Sequence, residues 1–294
     1  MNIKEIIMGF IIGDSFGLSI LNNDITEIKL IDNKNENIPK GSYSFFSTNL
    51  LATIDSISQK NNIDPKDILN KLCMSLIMGK YTSNHKIYKV DEDTLRILEY
   101  YSKKNNIECS LKEYNLNAYP ISRIIPVVVY NINNEDSLEN IIKVVSITTN
   151  NEIVLLGSYI LYKYIYNLIN GLDKYKALKI TIPKYFNKKV TKVYKDILKG
   201  NIYYKDITFD NNIVNVLKII LYIVLNSDNM SDMFLMLSNL SGYTNIYSSI
   251  IICIGTIIYG FDSIDKKIVK NIQNKKEINK YIKNFERIFK WKNI

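Results

Sequence analysis

Histidine is almost missing from this sequence: His85 is the only one in 294 residues. It lies in the polar stretch Tyr81 to Lys86 with no second histidine and no nearby cysteine. A surface residue therefore fits it better than a general base or a metal ligand. Three cysteines, Cys73, Cys109 and Cys253, are scattered and odd in number. No pair has the spacing of a metal knuckle, and reduced thiols are expected. Five prolines and eleven glycines exclude a disordered or strongly turn-punctuated chain. Long hydrophobic runs are lacking too. The longest, Ile250 to Ile258, includes Gly255 and Thr256 and falls short of the about 20 residues that cross a bilayer. Asp14 interrupts the apolar N-terminal stretch and no small-residue cleavage site follows, which disfavours a signal peptide. A soluble, cytoplasmic protein is expected.

What is present is apolar surface and positive charge. Hydrophobic residues make up 47% of the chain, enough to bury a sizeable core, and the net charge is +9. Such a charge suits a polyanionic partner. Asn, Ile and Tyr are heavily used along with Lys, however, which is the composition that AT-rich codons produce. On that reading the lysines need no nucleic acid.

Apolar residues recur mostly at helical spacing. Ile6, Ile7, Phe10 and Ile11 open the pattern, followed by Leu50, Leu51, Ile54 and Ile57, then Leu69, Leu72, Cys73, Leu76 and Ile77. Leu155, Tyr159, Tyr162, Ile165, Tyr166 and Ile169 form another stripe. Asp64-Pro65 reads as an N-cap followed by proline in the first turn, and Ser137 and Asp232 mark further helix starts. Segments 212–226 and 244–260 are apolar nearly all round, as in the middle of a bundle. Val127 to Tyr130 is β-branched and suits a short extended piece; 22–42 is the clearest loop. There is no fixed-period repeat. One all-α domain spanning 1–294 is the expectation.

Several landmarks resemble the ADP-ribosylglycohydrolase family. Gly9-Phe10-Ile11-Ile12-Gly13-Asp14-Ser15-Phe16-Gly17 is similar to the family's opening helix with Gly-Asp-Ala-x-Gly. About 30 residues on, where the family has Gly-x-aromatic-Thr-Asp-Asp-Thr, this chain has Gly41-Ser42-Tyr43-Ser44-Phe45-Phe46-Ser47. Ala118-Tyr119-Pro120-Ile121-Ser122-Arg123-Ile124-Ile125-Pro126 keeps the Arg and Pro of a mid-chain signature and loses its Asn-Gly. Thr148-Thr149 stands at the family's Thr-His pair. Ser241-Gly242-Tyr243-Thr244-Asn245-Ile246 occupies the place of Gly-Gly-Asp-x-Asp-Thr.

The resemblance implies an all-α fold and hydrolysis of an ADP-ribosyl bond assisted by two divalent cations, usually Mg²⁺. Such hard cations need converging carboxylates. On these motifs the paired aspartates become Phe45 and Phe46, the later pair becomes Tyr243 and Asn245, and a glutamate position falls near Leu21. Neither loop contains any acid. No catalytic residue, metal site or cofactor is therefore expected, and Asp14, Ser44, Phe45, Phe46, Ser47, Arg123, Tyr243, Thr244 and Asn245 line a vestigial cleft. Aromatic rings would fill the hollow left by the acids, each well-buried ring contributing roughly 1.5–3 kcal/mol.

Two of these residues have competing roles. Asp14 is either a remnant of the cleft or a brace for a loop; Arg123 is either a phosphate ligand or a structural pair. Asp91-Glu92-Asp93 reads as the charged start of a helix over 94–101 more simply than as a cation site. In 265–294, ten Lys or Arg stand against three acids, and Ile278, Tyr281, Ile282, Phe285, Ile288, Phe289 and Trp291 form an apolar stripe. This basic amphipathic helix either meets a membrane or acidic partner or docks on its own domain. Taken together, a protein partner is expected. ADP-ribose or a nucleotide in the same cleft, with or without metal-independent hydrolysis, is the alternative, and nucleic acid and membrane surfaces are disfavoured.

Overall fold

The computed structural model describes residues 2–23, 27–104, 115–133 and 137–290. Cys109 and Trp291 lie outside them. Fourteen α-helices are present among the described residues, with no strand beyond two isolated bridges. In chain order they begin with α1 (Ile3–Ile20), α2 (Phe45–Lys60), α3 (Pro65–Met78), α4 (Glu92–Lys104) and α5 (Ile124–Tyr130). Next come α6 (Ser137–Val145), α7 (Glu152–Ile169), α8 (Lys188–Val193), α9 (Lys195–Leu198) and α10 (Ile213–Asn226). The last four are α11 (Met230–Ser238), α12 (Thr244–Tyr259), α13 (Lys266–Asn271) and α14 (Lys275–Lys290).

The expected all-α class is what is found, with one local difference. Val127 to Tyr130 is not extended but forms the end of α5, and Val127, Val128 and Val129 are buried. Burial among α2, α6 and α7 outweighs the weak preference of β-branched residues for strands. Asp64 does cap α3, its carboxylate accepting from the backbone N–H of Lys66 at 3.0 Å and Asp67 at 3.1 Å. The helix anticipated at Asp232 is capped three residues earlier by Asn229.

α1 and α12 form the central pair, and glycine decides how they meet. A Cβ at Gly13 would lie 2.1 Å from the Ser248 carbonyl oxygen, and one at Gly17 would lie 2.4 Å from Asn245 Cα. With Gly9 these residues recur every fourth position along one face of α1, so the two backbones touch directly. From Ile6 to Ile20 every residue of α1 is buried. Around this pair α2, α10 and α11 pack, and α14 lies across α2 and α1. The apolar stripe of α14 is covered: Ile278, Tyr281, Ile282 and Phe285 are buried, and Tyr281 meets Tyr81 at a ring separation of 5.0 Å. Of the two roles open to the basic C-terminal helix, docking on its own domain is the one adopted. No described helix is long and apolar enough to cross a membrane.

A polar network sits inside the fold. Lys71 and Asp55, both buried, pair at 3.1 Å, while the Tyr81 hydroxyl donates to Asp55 at 2.6 Å and Lys71 donates to Gln59 at 2.9 Å. This network joins α2, α3 and the loop after α3.

Candidate functional site

The close approach of α1 and α12 brings together three segments distant in sequence. Asp14 leaves α1 between two of the seam glycines and reaches the N-terminus of α2. Its Oδ2 accepts from the Ser44 N–H and hydroxyl, each at 3.0 Å, and from the Ser47 N–H at 3.0 Å and hydroxyl at 2.5 Å. Ser44 is itself the N-cap of α2, accepting from the Phe46 N–H. Orphan N–H groups and the positive end of the helix both favour an anion there. The Asn245 amide donates to the Ser44 hydroxyl at 3.1 Å, and the Thr244 hydroxyl donates to the Gly17 carbonyl at 2.7 Å.

Asp14, Ser44, Ser47, Thr244 and Asn245 are thus brought together, and all are buried. Burial raises the Asp14 carboxyl from 3.8 to about 6, opposed by the Ser47 and Ser44 hydrogen bonds. Its Oδ1 is buried without a hydrogen-bond partner. Asp14 is therefore the brace and not a cleft-lining group.

Phe45 and Phe46 belong to the core, both fully buried. Phe46 stacks on Phe10 with centroids 5.4 Å apart and meets Tyr119 edge-on at 5.3 Å. Such pairs add about 0.5–1.5 kcal/mol beyond the area they bury. Tyr243 behaves differently: it is 46% exposed and stands on the rim. Ring burial is thus found at the two phenylalanines and not at the tyrosine.

A cleft of ≈ 560 Å³ opens beside Asn245, Ile246 and Tyr243. Leu21, at the end of α1, lines it on one side. Across from these lie Asp91, Glu92 and Asp93 with Asn115 and Asn117. Asn117 donates to Asp91 and Asn115 to Asp93, and Asp91 also caps α4 by accepting from the Thr94 N–H at 2.8 Å. Lys89 on the same wall is paired with Glu36 at 2.9 Å. The acidic triplet thus starts a helix, as its sequence suggests, and also walls the cleft. That second role depends on residues 115–118 pairing with the start of α10, where the Ala118 N–H donates to the Asn211 carbonyl at 2.7 Å. Nothing local in the sequence announces it.

Arg123 is not in the cleft. It is fully buried, donating from Nε to the Val144 carbonyl at 2.8 Å, from Nη1 to Asn49 at 2.9 Å and from Nη2 to the Thr148 hydroxyl at 2.5 Å. Each nitrogen of the fork donates to a neutral acceptor, so this guanidinium ties α2, α6 and the loop before α7 together. His85 is exposed, as expected.

A family model for ADP-ribosylglycohydrolase matches residues 2–293. The chain belongs to the ADP-ribosylglycohydrolase family. A solved structure described as an ADP-ribosylglycohydrolase-related protein complex matches with a TM-score of 0.79, covering 97% of each chain at 14% sequence identity. At that identity the likeness concerns the fold. No curated protein matches the sequence. Within this ADP-ribosylglycohydrolase fold, the five landmarks of the sequence fall on α1, the start of α2, the segment entering α5, the loop before α7, and the start of α12. No group of three or more His, Cys, Asp or Glu stands close enough to hold a metal ion among the described residues.

Proposed function

We propose that this member of the family is catalytically degenerate and uses its cleft to bind a protein partner. The observation that carries the reading is the donor set where α1, α2 and α12 meet. Two divalent cations require several converging carboxylates. Asp14 is the carboxylate at this junction, and its Oδ2 already accepts four hydrogen bonds. The positions that the family motif fills with aspartate carry Phe45, Phe46, Tyr243 and Asn245, two of them buried in the core. These residues do not fit the metal pair.

The chemistry of the cleft supports a peptide more than a nucleotide. Asp91, Glu92 and Asp93 on one wall favour a cationic group, which a peptide supplies through lysine or arginine side chains. A pyrophosphate would face those three acids, with Lys89 already paired and Arg123 elsewhere. ADP-ribose or a nucleotide is the second reading, favoured by a volume within the usual range of small-molecule sites, about 300–1,000 Å³.

The test is incubation with an ADP-ribosylated protein and Mg²⁺, expected to release no ADP-ribose above the blank. Mg²⁺-dependent release overturns degeneracy. Calorimetry separates the two ligands: a short oligolysine peptide is expected to bind and to weaken with Asp91→Asn and Asp93→Asn together. Binding of ADP-ribose, with none of the peptide, selects the second reading.

A further inference from the structure

The lysines of this chain are not spread evenly. Residues 174–205 hold ten lysines, no arginine and one acid, Asp196, a net of +9 that equals the charge of the whole protein. The 265–294 segment adds +7, and the remaining residues carry the balancing −7. A codon bias raises lysine throughout a chain; it does not strip the acids from one stretch.

The structure lays this segment out as a track. The Tyr164 hydroxyl donates to the Lys174 carbonyl at 3.1 Å and Asn167 to the Ala177 carbonyl at 2.9 Å, near the C-terminal end of α7. Further on, Asn187 donates to Glu152 at 3.1 Å and the Tyr194 hydroxyl to the Ile153 carbonyl at 2.7 Å, at the other end of the same helix. The segment therefore runs back along all 18 residues of α7, a distance of about 27 Å. Leu178, Phe186, Val190, Tyr194 and Ile197 face inward and anchor it, while nine of the ten lysines are exposed. Among the described residues, one of those nine, Lys176, is held in an ion pair, with Asp173 at 3.0 Å.

Aromatic rings stand among these charges. Tyr175, Tyr185, Tyr203 and Tyr204 are 62%, 56%, 57% and 56% exposed. Lys174 lies 5.5 Å from the Tyr175 centroid and Lys205 lies 5.9 Å from that of Tyr203. The docked C-terminal helix is basic as well, but Tyr281 and Phe285 are buried beneath it.

We propose that 174–205 is a binding surface for single-stranded nucleic acid, read without sequence preference. Lysines neutralise phosphates and release counterions; exposed rings stack with bases of any identity. The absence of arginine removes the bidentate fork that reads guanine edges. The six residues of α8 make no recognition helix for a duplex groove. A lipid surface needs an amphipathic helix with deep apolar anchors, whereas the exposed rings here carry hydroxyls. The inference is independent of the cleft.

The test is fluorescence anisotropy of the full chain with labelled oligo-dT and oligo-U of about 16 nucleotides, from about 50 to 200 mM salt. Four phosphate contacts give a slope of log K against log salt of about −3. Replacing Lys184, Lys188, Lys189 and Lys192 together by Glu is expected to weaken binding at least about tenfold and flatten the slope. Tyr185→Ala with Tyr203→Ala weakens it at least about thirtyfold and leaves the slope unchanged. Circular dichroism of both variants is expected to match the parent, since these side chains are exposed. Absence of binding at low salt, an unaffected quadruple variant, or binding to phosphatidylserine vesicles with none to the oligonucleotides overturns the proposal.

Discussion

Asp14→Asn isolates the energetic role of the junction. In the native protein this carboxyl is fully buried and raised from 3.8 to about 6 by desolvation, against the opposing effect of its serine donors. A rise of that size corresponds to about 3 kcal/mol between the two protonation states. The sign follows from proton linkage: between pH 4 and pH 6 the folded state binds the proton that the unfolded state releases. Asp14 therefore contributes stability that is fully present below about pH 4 and is lost as pH rises through about 6. The Tyr43 and Tyr119 hydroxyls nearby are pushed upward by burial and stay protonated throughout. In the Asn variant this titration is gone, while its side-chain oxygen still accepts from Ser44 and Ser47. Urea unfolding of both proteins from pH 4 to pH 7.5 is the assay. The parent is expected to gain about 3 kcal/mol relative to the variant as pH falls across that range. The difference cancels the contribution of all other carboxylates. Parallel stability curves would refute the reasoning, because they would mean that Asp14 titrates alike in both states.

Gly13→Ala is expected to cost about 3 kcal/mol in urea unfolding, the upper end for overpacking, because its Cβ would meet the Ser248 carbonyl at 2.1 Å. Lys71→Ala removes the 3.1 Å partner of buried Asp55, leaving it Lys80 at 3.9 Å, and is expected to cost about 3 kcal/mol by the same measurement, the low end for a broken buried pair. Lys71→Met is expected to cost less than Lys71→Ala, since the methionine fills part of the space of the lysine stem. Phe46→Ala removes a ring stacked on Phe10 and is expected to cost about 3–5 kcal/mol, read from the shift of the denaturation midpoint.

What could be read in the sequence was what is local. The stripes of α7 and α14, the Asp64-Pro65 cap and the all-round apolarity of 212–226 and 244–260 each follow from spacing within one segment. The order of the family landmarks placed Ser44, Thr244 and Asn245 at a common site, and they do meet there. Arg123 was harder, because the acceptors that occupy it come from Asn49, Val144 and Thr148, and no spacing links these to a guanidinium. The Asp55–Lys71–Tyr81 network likewise joins residues that no spacing links. Val127 to Tyr130 misled because β-branching is a weaker influence than burial on several sides. The second role of Asp91 and Asp93 arises from convergence with 115–118, a contact between distant segments.

The seam between α1 and α12 also governs the timing of folding. Its two halves are separated by more than 220 residues of chain, which at ribosomal speeds of about 5–20 residues per second means roughly 10–45 s of synthesis. Through that interval a helix built to have every face covered from Ile6 onward has no mate to lie against. Nascent chains arrested before Thr244 should therefore leave α1 accessible to protease or engaged by a chaperone. Chains long enough to release Tyr259 should shield it, so the last third of the polypeptide decides when the earliest part becomes native.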